Sequence, residues 1–221
     1  MKTVLCYGDS NTYGSRGIDF DILETSFIAS HYRYPKEKRW TGILQKELGN
    51  DYTIIEEGLN GRTTVWDDPI EGAYKNGLTY LTPCLESHAP IDMVVLMLGT
   101  NDLKTKFSVS ASDIAQSIGV LVNTIQQSSV GPDGTKPKVL ILCPPPLGKL
   151  SYLEGLFGEA GLKKSQQLAK NYSKIAKLYG CHFIDTGKII KTCLIDGTHY
   201  EPKELEKLGK SVAKKVAKIF D

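Results

Sequence analysis

The chain has 221 residues, 41% of them hydrophobic, enough to bury one sizeable core and too few for two full domains. Its 27 Lys and Arg against 25 Asp and Glu leave a formal charge of +2, so no strong field draws in nucleic acid or an anionic membrane surface. Apolar runs such as 93–98 and 139–143 are strand-sized, far short of the roughly 20 residues that a membrane helix requires, and one compact domain over residues 1–221 is expected.

The chain opens on an apolar run, 3–7, that ends at Gly8-Asp9-Ser10. This reads as a first strand and leaves no room for a signal peptide, so a cytoplasmic location is expected. Residues 15–38 form a long connection rich in charged and aromatic residues, among them Phe20, Phe27, Tyr32 and Tyr34. Loops of that length act as lids, binding walls or contacts between subunits.

Trp40, Ile43, Leu44 and Leu48 then recur at helical spacing, followed by a second strand at 52–56. A glycine-bearing segment, 57–64, leads into a second long connection from Thr63 to about Lys75 that contains Trp66. Strands are also expected at 93–98, 138–143 and 181–184, with Ile114, Ile118, Leu121, Val122 and Ile125 marking a helix between two of them. Leu205, Leu208, Val212, Val216 and Ile219 keep the same rhythm in a last helix that Pro202 is placed to begin.

Strands alternating with helices imply right-handed βαβ crossovers and a mostly parallel sheet covered on both faces. Ligands then bind beyond the carboxyl ends of the strands. The polar and glycine clusters at 8–14, 58–64, 99–102 and 144–147 each follow a strand, which places the candidate chemistry at that edge.

Ser10 follows the first strand, where backbone N–H groups can stabilise a developing oxyanion. A serine hydroxyl needs a base to take its proton, and the chain has four histidines. His31 lies in the first long loop, His88 ends an apparent helix, and His182 sits inside the last strand, where packing or capping roles are the default. His199 follows the last strand and stands three residues after Asp196, so the carboxylate can orient and charge-stabilise its ring. Alone, that pair is equally readable as a capping Asp with a surface His. Asn101, in Gly99-Thr100-Asn101-Asp102 after the most apolar strand, can donate to an oxyanion or serve as a turn residue. Gly61 can bring a bare backbone N–H near a bound oxygen or merely make a turn. Five scattered cysteines without a Cys-x-x-Cys pair read as reduced thiols in or near the core rather than a zinc or redox site.

Together the segments resemble the SGNH (GDSL) hydrolase family: Gly8-Asp9-Ser10, Gly61, Gly99-Thr100-Asn101-Asp102 and Asp196-Gly197-Thr198-His199 match its four blocks in order. Arg39-Trp40-Thr41-Gly42, Glu56-Glu57-Gly58-Leu59, Arg62-Thr63-Thr64 and Asp67-Asp68-Pro69 are similar to its arylesterase and acyltransferase subgroup. The resemblance implies a three-layer α/β/α sandwich with a flavodoxin-like five-stranded parallel sheet and a Ser10, His199 and Asp196 triad. It implies an oxyanion hole from the Ser10 N–H, the Gly61 N–H and the Asn101 side chain, and neither metal nor cofactor. It further implies a small-molecule ester substrate, an acyl enzyme resolved by water or an alcohol, and a homo-oligomer in which the 15–38 loop narrows a neighbour's site. Two other readings stand beside it. A carbohydrate acetylesterase would use the same triad, with Asn11, Arg62 and Trp66 contacting hydroxyls. A flavodoxin-like binder would cradle the phosphate of FMN on residues 10–14.

Overall fold

In the computed structural model, residues 1–17 and 33–221 are described, and most of the first long loop, with His31, lies outside them. The five expected strands form: β1 (Lys2–Gly8), β2 (Tyr52–Gly58), β3 (Met93–Met97), β4 (Lys138–Cys143) and β5 (His182–Asp185). All pair in parallel in the order β2-β1-β3-β4-β5. Among the described residues seven α-helices accompany them: α1 (Ser10–Tyr13), α2 (Trp40–Leu48), α3 (Gly77–Ser87), α4 (Ala111–Gln127), α5 (Glu154–Ser165), α6 (Leu168–Leu178) and, after the last strand, α7 (Pro202–Phe220).

Strand side chains alternate between the two faces, and the buried apolar residues divide accordingly. Leu5 and Tyr7, Val94 and Leu96, and Val139 and Ile141 pack with α3, α4 and α6. Val4 and Cys6, Met93 and Val95, and Leu140 and Leu142 pack with α2 and α7. The central strands are therefore apolar on both sides, as a parallel sheet sandwiched between helix layers requires. The result is the three-layer α/β/α sandwich.

Chain direction through this sandwich positions the site. β1 is central and hydrogen-bonds to both β2 and β3 in register, with Gly8 opposite Gly58 on one side and Met97 on the other. Three strand ends therefore deliver residues 9–11, 59–62 and 99–102 side by side at the carboxyl edge, at the reversal of strand order where open sheets form crevices. The loop after β5 completes the rim, with Cys193 and His199 joined by a backbone hydrogen bond (N to O, 2.7 Å).

Candidate active site

Ser10 is the first residue of a single helical turn that starts directly from β1. Asp9 caps it by accepting the Asn11 N–H at 2.9 Å, and Gly14, at φ +91°, closes it by donating its N–H to the Ser10 carbonyl. Glycine, free of the Cβ penalty, takes the left-handed conformation that ends a helix at little cost. The Ser10 N–H, at the first helical position, has no acceptor within the turn.

His199 meets this hydroxyl. Its Nε2 lies 3.1 Å from Ser10 Oγ and its Nδ1 lies 2.6 Å from Asp196 Oδ2. Asp196 is wholly buried, whereas the His199 side chain keeps 17% exposure at the cleft. The second carboxylate oxygen, Oδ1, accepts the Thr198 N–H at 2.8 Å, the His199 N–H at 3.0 Å, the Thr198 hydroxyl at 3.1 Å and the Cys193 thiol at 3.2 Å. Burial alone would raise this carboxyl, but the His199 ring and the two backbone N–H groups outweigh it and hold Asp196 well below the usual carboxylate range. Asp196 is thus an anion, and its Oδ2 fixes the tautomer in which Nδ1 carries the proton and Nε2 can accept one from serine. A further bond, Asn11 Nδ2 to the Thr198 carbonyl at 3.2 Å, ties the serine turn to the histidine loop.

The other two predicted residues line the same cleft, of about 260 Å³, with Ser10 and His199. Asn101 begins a 3-10 turn just beyond β3, and its amide donates to the Arg62 carbonyl at 3.0 Å, which fixes the side-chain plane. Gly61 has φ +76°, and a Cβ there would run into the Glu71 carboxylate. The two loops are joined again at Asp102, whose buried carboxylate accepts the Thr64 N–H and hydroxyl. Burial pushes Asp102 up to about 6 against those hydrogen bonds, and burial likewise raises Asp9 to about 6. Leu153, Leu156 and Phe157 give the cleft an apolar wall, while Asn60, Glu71 and Lys104 give it a polar one. Glu71 is held by Lys104 at 2.7 Å, so the second long connection does contribute a wall, as its length suggested.

The structure departs from the sequence reading at Arg62. It does not face the cleft to meet hydroxyls. It is buried, donates from Nη1 to the Gly8 carbonyl at 2.9 Å and to the Glu57 carbonyl, and lies 4.3 Å from the Tyr7 ring centroid and 5.4 Å from that of Tyr80. Carbonyls at Nη1 and two aromatic faces compensate this buried guanidinium in part, leaving its Nε without a hydrogen-bond partner among the described residues. Trp66 is likewise absent from the cleft lining, whereas Asn11 does border it. His88 and His182 fall where the sequence placed them, at the end of α3 and in β5. The clamp by Arg62 and the staple by Asp102 had no local signal, since their partners lie up to 54 residues away.

The comparisons with known proteins bear on the family and the fold. The sequence model of the GDSL-like lipase/acylhydrolase family matches residues 6–205. A crystal structure of a carbohydrate acetylesterase from Sinorhizobium meliloti is 41% identical, covers 99% of this chain and 100% of its own, and superposes with a TM-score of 0.91. An inhibitor-bound aryl esterase from M. smegmatis is 38% identical, with 99% of both chains covered and a TM-score of 0.90. An acetylxylan esterase from Xylanibacter ruminicola is 27% identical over 95% of this chain, which spans only 42% of that protein's length. With a family match over residues 6–205, the chain belongs to the GDSL-like lipase/acylhydrolase family.

Proposed function

We propose that the protein is a serine esterase that cleaves small, acetyl-type acyl esters through Ser10, His199 and Asp196. The observation that carries this reading is the hydrogen-bonded line from Ser10 Oγ to His199 Nε2, at 3.1 Å, and from Nδ1 to Asp196 Oδ2, at 2.6 Å. His199 takes the serine proton as Ser10 Oγ bonds to the ester carbonyl carbon, and Asp196 stabilises the imidazolium that results. The carbonyl oxygen becomes an oxyanion held by the N–H groups of Ser10 and Gly61 and by the Asn101 amide. His199 returns its proton to the departing alkoxide, leaving an acyl-serine and a free alcohol. A water molecule then gives its proton to His199 while attacking the acyl carbon, and the acid and Ser10 are released. An alcohol in place of water makes the same step an acyl transfer, and a drier cleft favours it.

The cleft's modest size and its Leu153, Leu156 and Phe157 wall support short acyl chains. Turnover of p-nitrophenyl esters from acetate to octanoate tests the reading: activity should be greatest on the short esters and vanish in Ser10→Ala. Labelling of Ser10 by a fluorophosphonate is the direct chemical check, and an unlabelled, inactive protein refutes it. The family match does not favour an FMN-binding role, which would leave the His199 and Ser10 contact without work to do. Relatives named for aryl and for carbohydrate esters leave the alcohol half as the finer question, which rates on aryl acetates against acetylated xylan decide. The proposal includes action as a homo-oligomer, for which light scattering gives the subunit count.

A further inference from the structure

Away from the serine cleft, the inner end of α3 and the carboxyl end of β2 bring three metal-binding side chains together. Glu57 comes from the edge strand, and Cys84 and His88 come from α3 and its C-cap, four residues apart and so on one helix face. One ligand atom from each lies within 4.8 Å of the other two, and His88 Nε2 is 2.8 Å from Glu57 Oε1. The proposed ester chemistry uses none of the three.

We propose that Glu57, Cys84 and His88 form a binding site for a divalent transition-metal cation of the Zn²⁺ class, separate from the serine site. The ligand set is a thiolate sulfur, an imidazole nitrogen and a carboxylate oxygen, a combination that suits borderline-soft cations and not Ca²⁺ or Mg²⁺. A tetrahedral Zn²⁺ with bonds of about 2.0–2.3 Å holds its ligand atoms about 3.3–3.6 Å apart. That separation falls between the 2.8 Å hydrogen bond and the 4.8 Å limit of the cluster, so the three ligand atoms already lie near the spacing such a cage requires. Two anionic ligands balance the charge of the ion. Glu57 also borders a surface cleft of about 460 Å³ that contains Arg62 and Tyr80 and gives a fourth ligand, water or a small anion, its way in.

Binding exchanges a proton for the metal. Cys84 coordinates as a thiolate, so its thiol proton passes to solvent as the sulfur–metal bond forms. The His88 ring gives up its hydrogen bond to Glu57 and turns the same nitrogen to the ion. The sequence shows no Cys-x-x-Cys spacing because the ligands are shared between a strand and a helix about 30 residues apart.

The test is a Co²⁺ titration of the full-length protein after chelator treatment, followed in the near-ultraviolet for the thiolate-to-cobalt charge-transfer band and checked by equilibrium dialysis with Zn²⁺. One ion per chain and a band that Zn²⁺ abolishes are expected. Cys84→Ser should remove the band, and His88→Ala and Glu57→Gln, both at partly exposed positions, should each weaken Zn²⁺ binding at least tenfold. Cys193→Ser should leave the band unchanged, which separates this cluster from the thiol beside Asp196. Absence of a band in the parent protein, persistence of it in folded Cys84→Ser, its loss in Cys193→Ser, or unaltered Zn²⁺ affinity in His88→Ala would each overturn the assignment.

Discussion

Replacing Asp196 by Asn isolates what the carboxylate contributes, because the hydrogen bonds around it dictate how the amide must sit. Oδ1 accepts two backbone N–H groups at 2.8 and 3.0 Å, and an NH₂ group cannot take its place there without leaving both unpaired. The carbonyl of Asn therefore occupies the Oδ1 position and its NH₂ turns to His199 Nδ1. That nitrogen must then accept, so the ring proton moves to Nε2, which can no longer take the proton of Ser10. The variant has the right shape and the wrong tautomer. The same exchange in a serine-histidine-aspartate triad costs about 10⁴ in turnover, or about 5 kcal/mol of transition-state stabilisation. Steady-state hydrolysis of p-nitrophenyl acetate should show kcat down by about that factor with KM changed little. A variant that folds and keeps kcat within tenfold of the parent would refute the tautomer argument and, with it, the role given to His199.

Three further outcomes follow from the site. Asn101→Ala removes one oxyanion donor and should lower kcat by about 10²–10³ with KM nearly unchanged, a split that substrate-saturation kinetics reads directly. Gly61→Ala forces a side chain into φ +76° against Glu71, and should cost about 1–2 kcal/mol in urea unfolding along with a fall in kcat. The Asp102 carboxyl, raised to about 6 by burial, starts from an unfolded value of about 3.9. Its native state therefore holds the proton more firmly, and the stability it contributes is complete below about pH 4 and lost as pH rises through about 6. Asp102→Asn should flatten the decline of the urea midpoint between pH 4 and 6, leaving the part owed to Asp9, and an unaltered slope would show that the carboxyl is not raised.

The sandwich was legible because its signals are local. Each strand is a short β-branched or apolar run with turn formers beside it, and each predicted run overlaps the observed strand. The ends differ for a physical reason: Gly8 and Gly58 lack side chains to show a pattern, yet their backbones still pair. Helix α5 gave little periodic signal, since Gly158 breaks it at φ +58°. The candidate site was legible in Ser10, Asp196 and His199 because two distant chain segments carry recognisable blocks, and the structure brings those residues to one point. Arg62 was misread because an arginine's burial depends on partners elsewhere, here the carbonyls of Gly8 and Glu57 and the rings of Tyr7 and Tyr80. The cluster of Glu57, Cys84 and His88 escaped notice for the same reason, being a product of folding rather than of spacing.

The division of labour around the cleft has a bearing on how such a protein can be altered. Leu153, Leu156 and Phe157 come from one stretch of chain between β4 and α6, while the proposed nucleophile, base and oxyanion donors hang from the ends of other strands and the loop after β5. The apolar wall is therefore carried on a segment separate from the proposed reaction machinery. Trimming a leucine in that wall should change which acyl groups are admitted while leaving the proposed nucleophile and base in place.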